Sequence, residues 1–245
     1  MSTKYPVVFD GHELTKFFSV RWGLERPLPE WTPNLVTVPG RAGAILAGTH
    51  AEPTNVSMEL VYIDTDRAKR QEAARTLASW LAVDEARPLI LGDEGGLYRM
   101  AIPSGAASVT EYLNAESINI TFTCPDPIMW GGEHQVVVPS DGEVTFKVGG
   151  TAPTRPLVVA SQAQAKAAVG WWRLTLDGLH QFDVAVSTSS TQQLSADCEN
   201  RVLLVSGSPK VLRPTCSWIE LEPGEHTLAM DGYGAATVTW RDRWW

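Results

Sequence analysis

The sequence predicts a mainly β protein of the β-rich α+β class, built as two domains that meet near residue 132. Three observations carry this. Apolar residues recur at every second position in many short segments, separated by Asp-Gly, Pro-Gly and Ser-Gly-Ser-Pro turns, which is the period of half-buried strands. Only residues 67–83 have the period of an amphipathic helix. The stretch 118–132 alternates cleanly through Ile118, Ile120 and Phe122, then runs into Pro125, Pro127, Trp130 and Gly131-Gly132. Proline donates no backbone hydrogen bond and forces its predecessor into an extended shape, so the strand leaves its sheet there. Strands mix with the helix before this seam and stand alone after it. The expected domains are 1–132, a β-sheet domain with one helix, and 133–245, an antiparallel β-sandwich.

Taken in order, Val7-Val8-Phe9 and the Phe17-Phe18 region flank Asp10-Gly11, a hairpin signal. Pro27, Pro29 and Pro33 make 25–34 an extended linker. Leu35–Val38 reads as a strand, and Pro39-Gly40-Arg41-Ala42-Gly43 as a hairpin tip. Val56, Met58, Leu60 and Tyr62 alternate with partners that become apolar at Val61 and Ile63, so this strand is expected to be covered on both faces at its end. Asp64-Thr65-Asp66 offers helix N-caps. Ala74, Leu77 and Leu81 form the expected buried stripe of the helix, with Pro88 ending it. Leu89–Leu91 and Leu97–Ile102 form a hairpin about Gly92–Gly96, followed by a small-residue loop and the seam strand. In the second half, alternation recurs at Val144/Phe146/Val148, Trp172/Leu174/Leu176, Phe182/Val184/Val186 and Ala236/Val238/Trp240. The two terminal tryptophans, Trp244 and Trp245, are expected to pack, since a pair left in solvent would be adhesive.

The composition narrows the function. The 245 residues carry a net charge of −8, and no cluster of lysines and arginines, which argues against a nucleic-acid partner. No apolar run approaches a membrane span, and the N-terminus has no signal-peptide core, so the expected site of synthesis is the cytoplasm. Three cysteines, Cys124, Cys198 and Cys216, suit a reducing compartment, with a Cys198–Cys216 bridge as the minor alternative. Ten tryptophans, four of them from Trp218 onward, point to assembly or ligand stacking.

No catalytic, cofactor or metal site is expected. There is no Gly-x-Ser-x-Gly elbow and no phosphate-binding loop, and the five histidines are scattered outside metal-ligand spacing. The Gly92–Gly96 run is acidic and reads as a turn. Asp64, Asp66, Asp93 and Glu94 read as caps and solvated turns rather than as a hydrolase pair. The single ligand-type candidate is aromatic: Trp172 is in phase with the core, so Trp171, with Arg173, points outward and could serve as a partner contact or a sugar platform. No histidine starts the His-x-Asn-x-Arg run that a galectin site would want.

Across nearly its whole length the chain resembles the distal tail proteins of long, non-contractile-tailed bacteriophages, the Dit family. The matching stretches are Phe9-Asp10-Gly11, Val38-Pro39-Gly40-Arg41-Ala42-Gly43, the helix of 66–83, Tyr98-Arg99-Met100-Ala101 and Phe122-Thr123-Cys124-Pro125-Asp126-Pro127. The second half adds Ala196–Asn200, Leu221–His226 and Trp240-Arg241-Asp242-Arg243-Trp244. Glu225-His226 departs from the Gly-Asn common at that turn. The resemblance implies a homohexameric ring at the tail tip, in the virion, formed by the N-terminal domains around the channel and stacked on the tail tube protein. It implies a galectin-like C-terminal sandwich facing fibres or receptor-binding proteins, and a distal face that docks the tail-associated hub protein. The chain is too short to hold an inserted carbohydrate-binding module. The Pro39–Gly48 loop, with Arg41, Ile45 and Leu46, is the expected inter-subunit surface, because a ring buries two different faces of each subunit. A carbohydrate-binding protein using the C-terminal sandwich is the alternative reading.

Overall fold

The computed structural model describes residues 5–25, 28–112, 115–213 and 216–245. The chain forms two compact units, residues 1–130 together with Trp245, and residues 131–244.

In the first unit, β1 (Val7–Phe9) and β2 (His12–Glu13) close a tight hairpin across Asp10-Gly11, where both residues hold positive φ. That is the twist-matched two-residue turn for which Asp-Gly is suited. A single 3-10 turn, Leu14–Lys16, leads into β3 (Phe18–Glu25). Then come β4 (Trp31–Thr37), β5 (Ala44–Ala51) and β6 (Thr54–Tyr62). Helix α1 spans Arg67–Leu81, and its N-cap is Asp66, whose carboxylate accepts from the Ala68 N–H at 2.8 Å. The first unit is completed by β7 (Arg87–Leu91), β8 (Tyr98–Tyr112) and β9 (Ala115–Cys124).

Two antiparallel runs of strands share a core. One has the order β3-β6-β9-β8, the other β8-β7-β1-β2, and β8 serves both. Its first residues pair with β7, and from Ile102 onward it pairs with β9. The register shift between Ser104 and Ser108, with Gly105 at φ +73°, lets the strand bend from one run into the other. Phe9, Phe18, Leu60 and Phe122 are fully buried here, and the Phe9 and Phe122 rings meet at 4.9 Å. Leu60 and Val61 are both buried, so β6 is covered on both faces there, but Ile63, just past its end, is exposed against expectation.

Several expectations require correction. Of the expected helix stripe Leu77 is buried and Leu81 packs against the core, but Ala73 rather than Ala74 is the buried alanine, and the helix ends at Leu81. Pro88 does not stop it but sits within β7. The 25–34 linker is strand from Trp31 onward, while Pro27 lies outside the described residues. The small-residue loop after Ile102 is the continuation of β8 to Tyr112. Gly131-Gly132, at the expected seam, does not interrupt the strands, because both lie inside β10 (Met129–Val138). Gly131 is needed there because a Cβ would run into the Trp244 ring.

The second unit is a sandwich. After β10 it contains β11 (Glu143–Val148), β12 (Leu157–Ala163), β13 (Trp172–Leu176) and β14 (His180–Val184). These are followed by β15 (Gln192–Asp197), β16 (Val202–Val205), β17 (Ser208–Pro209), β18 (Gly224–Asp231) and β19 (Ala236–Trp244). One sheet has the order β17-β16-β15-β12-β19-β10 and the other β11-β18-β13-β14. The inward residues of both, among them Trp172, Leu174, Phe182, Leu194 and Val238, form one core. The three cysteines are free. Burial pushes the Cys198 thiol up to about 12, so it is inert at neutral pH.

Gly150 closes this sandwich. It holds φ +91°, and a Cβ there would land on the Arg243 carbonyl oxygen. That same oxygen accepts from the N–H groups of Thr151 and Ala152 at 2.9 and 3.0 Å. Gly150→Ala is expected to destabilise the second unit by about 3 kcal/mol or more, combining left-handed backbone strain with overpacking. Urea unfolding followed by tryptophan fluorescence measures this, and a change under about 1 kcal/mol would refute it.

Candidate assembly site

The most unusual element of the first unit is the hairpin β4–β5. It forms a two-stranded sheet of its own. Val38 to Gly43 turns its tip, with Gly40 and Gly43 at φ +80° and +79° and the Arg41 N–H donating to the Val38 carbonyl at 3.2 Å. Leu35 stands opposite Leu46, and the next pair is Val36 opposite Ile45. Adjacent pairs in a strand ladder point to opposite faces, so each face of the hairpin carries an aliphatic cross-strand pair. All four are exposed: Leu35 60%, Val36 51%, Ile45 41% and Leu46 59%. Trp31 at the root and Val38 at the tip are exposed as well. An isolated two-stranded hairpin is marginal in water, and a hydrophobic one needs a surface to cover it.

Arg41, Ile45 and Leu46 all lie on this hairpin, with Arg41 at its tip and exposed. Sequence reading placed Leu35–Val38 in a strand but assigned residues 31–34 to the linker, and it did not count Trp31, Leu35 and Val36 as part of this surface. Pro39–Gly43 reads as the hairpin tip and is one, whereas Pro27, Pro29 and Pro33 hid the start of the strand that leads into it. At the root, the Trp31 and Trp245 rings meet edge-to-face at 4.8 Å, and neither Trp244 nor Trp245 is fully exposed. The terminal tryptophans therefore pack, as expected.

In the second unit, Trp171 and Arg173 occupy a different kind of site. Trp171 is half-buried rather than open, and the Arg213 guanidinium lies 5.1 Å from the centroid of its ring. Arg173 is committed to Asp183, donating from Nε and Nη2 at 2.6 and 2.8 Å. Arg213 adds a longer contact to the same carboxylate at 3.4 Å. The Asp183 side chain is completely buried, and its bonds to Arg173 hold it below the usual carboxylate range. This is a cross-strand clamp, since Arg173 and Asp183 are register partners in β13 and β14.

His226 forms a second charged link. Its Nδ1 lies 2.7 Å from Asp177 Oδ2 and its Nε2 lies 2.6 Å from the Glu222 carbonyl. Both partners are acceptors, so these contacts favour the cationic ring, with a proton on each nitrogen. Burial alone would lower its pKa, but Asp177 and the Glu222 carbonyl outweigh burial and hold it above the ordinary 6.5. A raised folded-state value stabilises below pH 6.5 and loses that contribution as pH climbs through the folded value. The urea midpoint of the second unit is expected to fall with rising pH above 6.5, and His226→Asn to flatten that slope. An unchanged slope in the variant would refute the assignment.

Among the described residues no group of three or more His, Cys, Asp or Glu side chains could hold a metal ion, and no helix is long and apolar enough to cross a membrane.

Comparison with known proteins bears on what such a hairpin serves. Residues 11–124 match the model of the phage tail protein RIFT-related domain. Residues 149–244 match that of the siphovirus-type tail component, C-terminal domain. The chain belongs to the siphophage distal tail protein family. Among solved structures, the Dit protein of phage SPP1, described as a paradigm of the hub adsorption apparatus in phages infecting Gram-positive bacteria, shares its fold. That match has a TM-score of 0.78 at 17% identity and covers 98% of this chain and 99% of the SPP1 protein. Chains of the phage p2 baseplate in its activated conformation, with calcium or strontium, align at a TM-score of 0.48 and 10% identity over 97% of both chains. No curated protein sequence matches the chain. As a distal tail protein it is a structural component of a siphovirus tail, and its β-rich, one-helix architecture is that of Dit.

Proposed function

We propose that this chain is the non-enzymatic hub of a siphophage tail tip, assembling through its first unit into a homohexameric ring. The observation that carries the reading is the solitary β4–β5 hairpin, with exposed aliphatic pairs on both faces. Such a surface is expensive to leave in water and is explained by burial against a neighbouring subunit. In this reading the ring stacks on the tail tube protein, a tail-associated hub protein docks on the distal side, and fibres or receptor-binding proteins meet the second unit. The protein is then made in the host cytoplasm and ends in the virion tail tip.

Light scattering of the purified chain across a concentration series tests the reading, with negative-stain images alongside. The expected result is a mass near six chains and ring-shaped particles. A single chain at every concentration, with and without tail tube protein, would overturn it.

A further inference from the structure

A ring made by head-to-tail contacts needs two different surfaces on each subunit, one donating and one receiving. The hairpin is the donor in the reading above, on which this inference rests. The receiving surface lies at the other end of the strands that carry the hairpin. Strands β3 and β6 pair antiparallel from Phe18 opposite Tyr62. The hairpin is inserted between them, leaving after Glu25 and returning at Thr54. At the opposite end, Phe17 precedes β3 and Ile63 follows β6, and the Ile63 N–H donates to the Phe17 carbonyl at 3.1 Å. Strand β6 has 9 residues, so roughly 30 Å separates the hairpin root from this pair.

Phe17 is 39% and Ile63 58% exposed, and both line a cleft of about 360 Å³ that α1 walls with Ala73 and Thr76. The cleft is held open by fixed groups rather than by loose side chains. Arg70 donates from Nε to the Asp64 carbonyl and from Nη2 to the Thr65 carbonyl, each at 2.9 Å. Lys69 Nζ reaches Asp64 Oδ2 at 2.9 Å, and the Trp80 ring backs Phe17 at 5.8 Å. These contacts tie the turn after β6 to the helix, so the apolar floor is preformed.

We infer that the β4–β5 hairpin of one copy seats in the Phe17–Ile63 cleft of the next copy. The hairpin and the cleft are unmatched apolar surfaces of one unit, set at opposite ends of one strand pair, as a head-to-tail contact requires. The lining carries Lys16, Lys69 and Arg70 as well as Asp64 and Glu72; Lys69 and Arg70 are committed to Asp64 and Thr65, which leaves the exposed Glu72 as the group of opposite sign for Arg41 at the hairpin tip. The aliphatic pair Leu35–Leu46 or Val36–Ile45 supplies the side chains that fill the cleft.

The test is a double variant, Leu46→Cys with Thr76→Cys, in a Cys216→Ser background, treated with a short bis-maleimide. Cys124 and Cys198 are buried and stay unlabelled. The expected result is a ladder of covalent multimers up to the size of the native particle, absent from either single-cysteine variant. A full-mass particle that yields no ladder, or a dimer from Leu46→Cys alone, would overturn the cleft assignment while leaving the ring reading intact. Capture of the hairpin cysteine by another tail protein instead would overturn it too. A single chain at every concentration would overturn both.

Discussion

Leu46→Glu is expected to turn an assembled particle into a folded single chain. Leu46 is 59% exposed and lies on a hairpin that contributes nothing to the core of its own unit, so a charge there leaves the subunit unharmed. In the assembled state the same side chain would be buried. Losing a buried leucine costs about 1.5–3 kcal/mol, and leaving an unpaired carboxylate in an apolar contact adds several more. The loss repeats at every interface of a closed ring, so the effect on assembly is multiplied. Ile45→Glu, on the opposite face of the hairpin, should act in the same direction. Val211→Glu is the control, because Val211 is 92% exposed on the second unit and outside the hairpin. Light scattering reports the mass and circular dichroism the fold. An intact ring in Leu46→Glu would remove the hairpin from the interface.

The second large effect is expected at Asp183. Its side chain has no solvent exposure and accepts two hydrogen bonds from Arg173 and a longer one from Arg213. Asp183→Ala leaves the Arg173 guanidinium, itself mostly buried, facing an empty acceptor site. Breaking a buried pair in this way costs about 3–5 kcal/mol. Arg213 is more exposed and can turn to water, which places the expected loss toward the lower end. Its release from Trp171 should also change the tryptophan emission of the native protein. The pairing with Arg173 lowers the Asp183 pKa below the ordinary 3.8, so its stabilisation is full above that value and lost as pH falls through the folded value. The wild-type protein should therefore lose more stability on acidification than Asp183→Asn does. A change under about 1 kcal/mol in Asp183→Ala would show that the clamp is not structural.

These two sites differ in how far they could be read in advance. Alternation at Trp172, Leu174 and Leu176, and at Phe182 and Val184, marked strands and inward faces, because a strand of the second unit meets water on one side and core on the other. The same alternation placed Arg173 on the outer face, but not its partner: Asp183 belongs to another strand, and which residues stand opposite depends on register. Arg213 comes from a segment without regular structure, so no period could place it over Trp171.

For the hairpin the sequence showed less than it contained. Pro39-Gly40 and Gly43 marked the tip, and Ile45 and Leu46 were visible as apolar residues beside it. That both strands stand apart from the main sheets was not visible, because exposure depends on what the rest of the chain fails to cover. Likewise Pro88 and Gly131 are strong local breakers, yet both sit in strands, where neighbouring strands override local preference.

What the sequence determined by itself was the class of fold, the single helix and the 64–66 window of its cap, the turn positions, the absence of familiar catalytic motifs and the resemblance to Dit. All of these rest on residues close together in the chain or on the order of short motifs. What the tertiary structure decided was the bend of β8 at Gly105, the burial of Asp183 between two arginines, and the isolation of the hairpin. It also decided the placement of Phe17 beside Ile63 at the far end of the same strands. Each depends on contacts between residues distant in sequence, and only the folded chain brings those together.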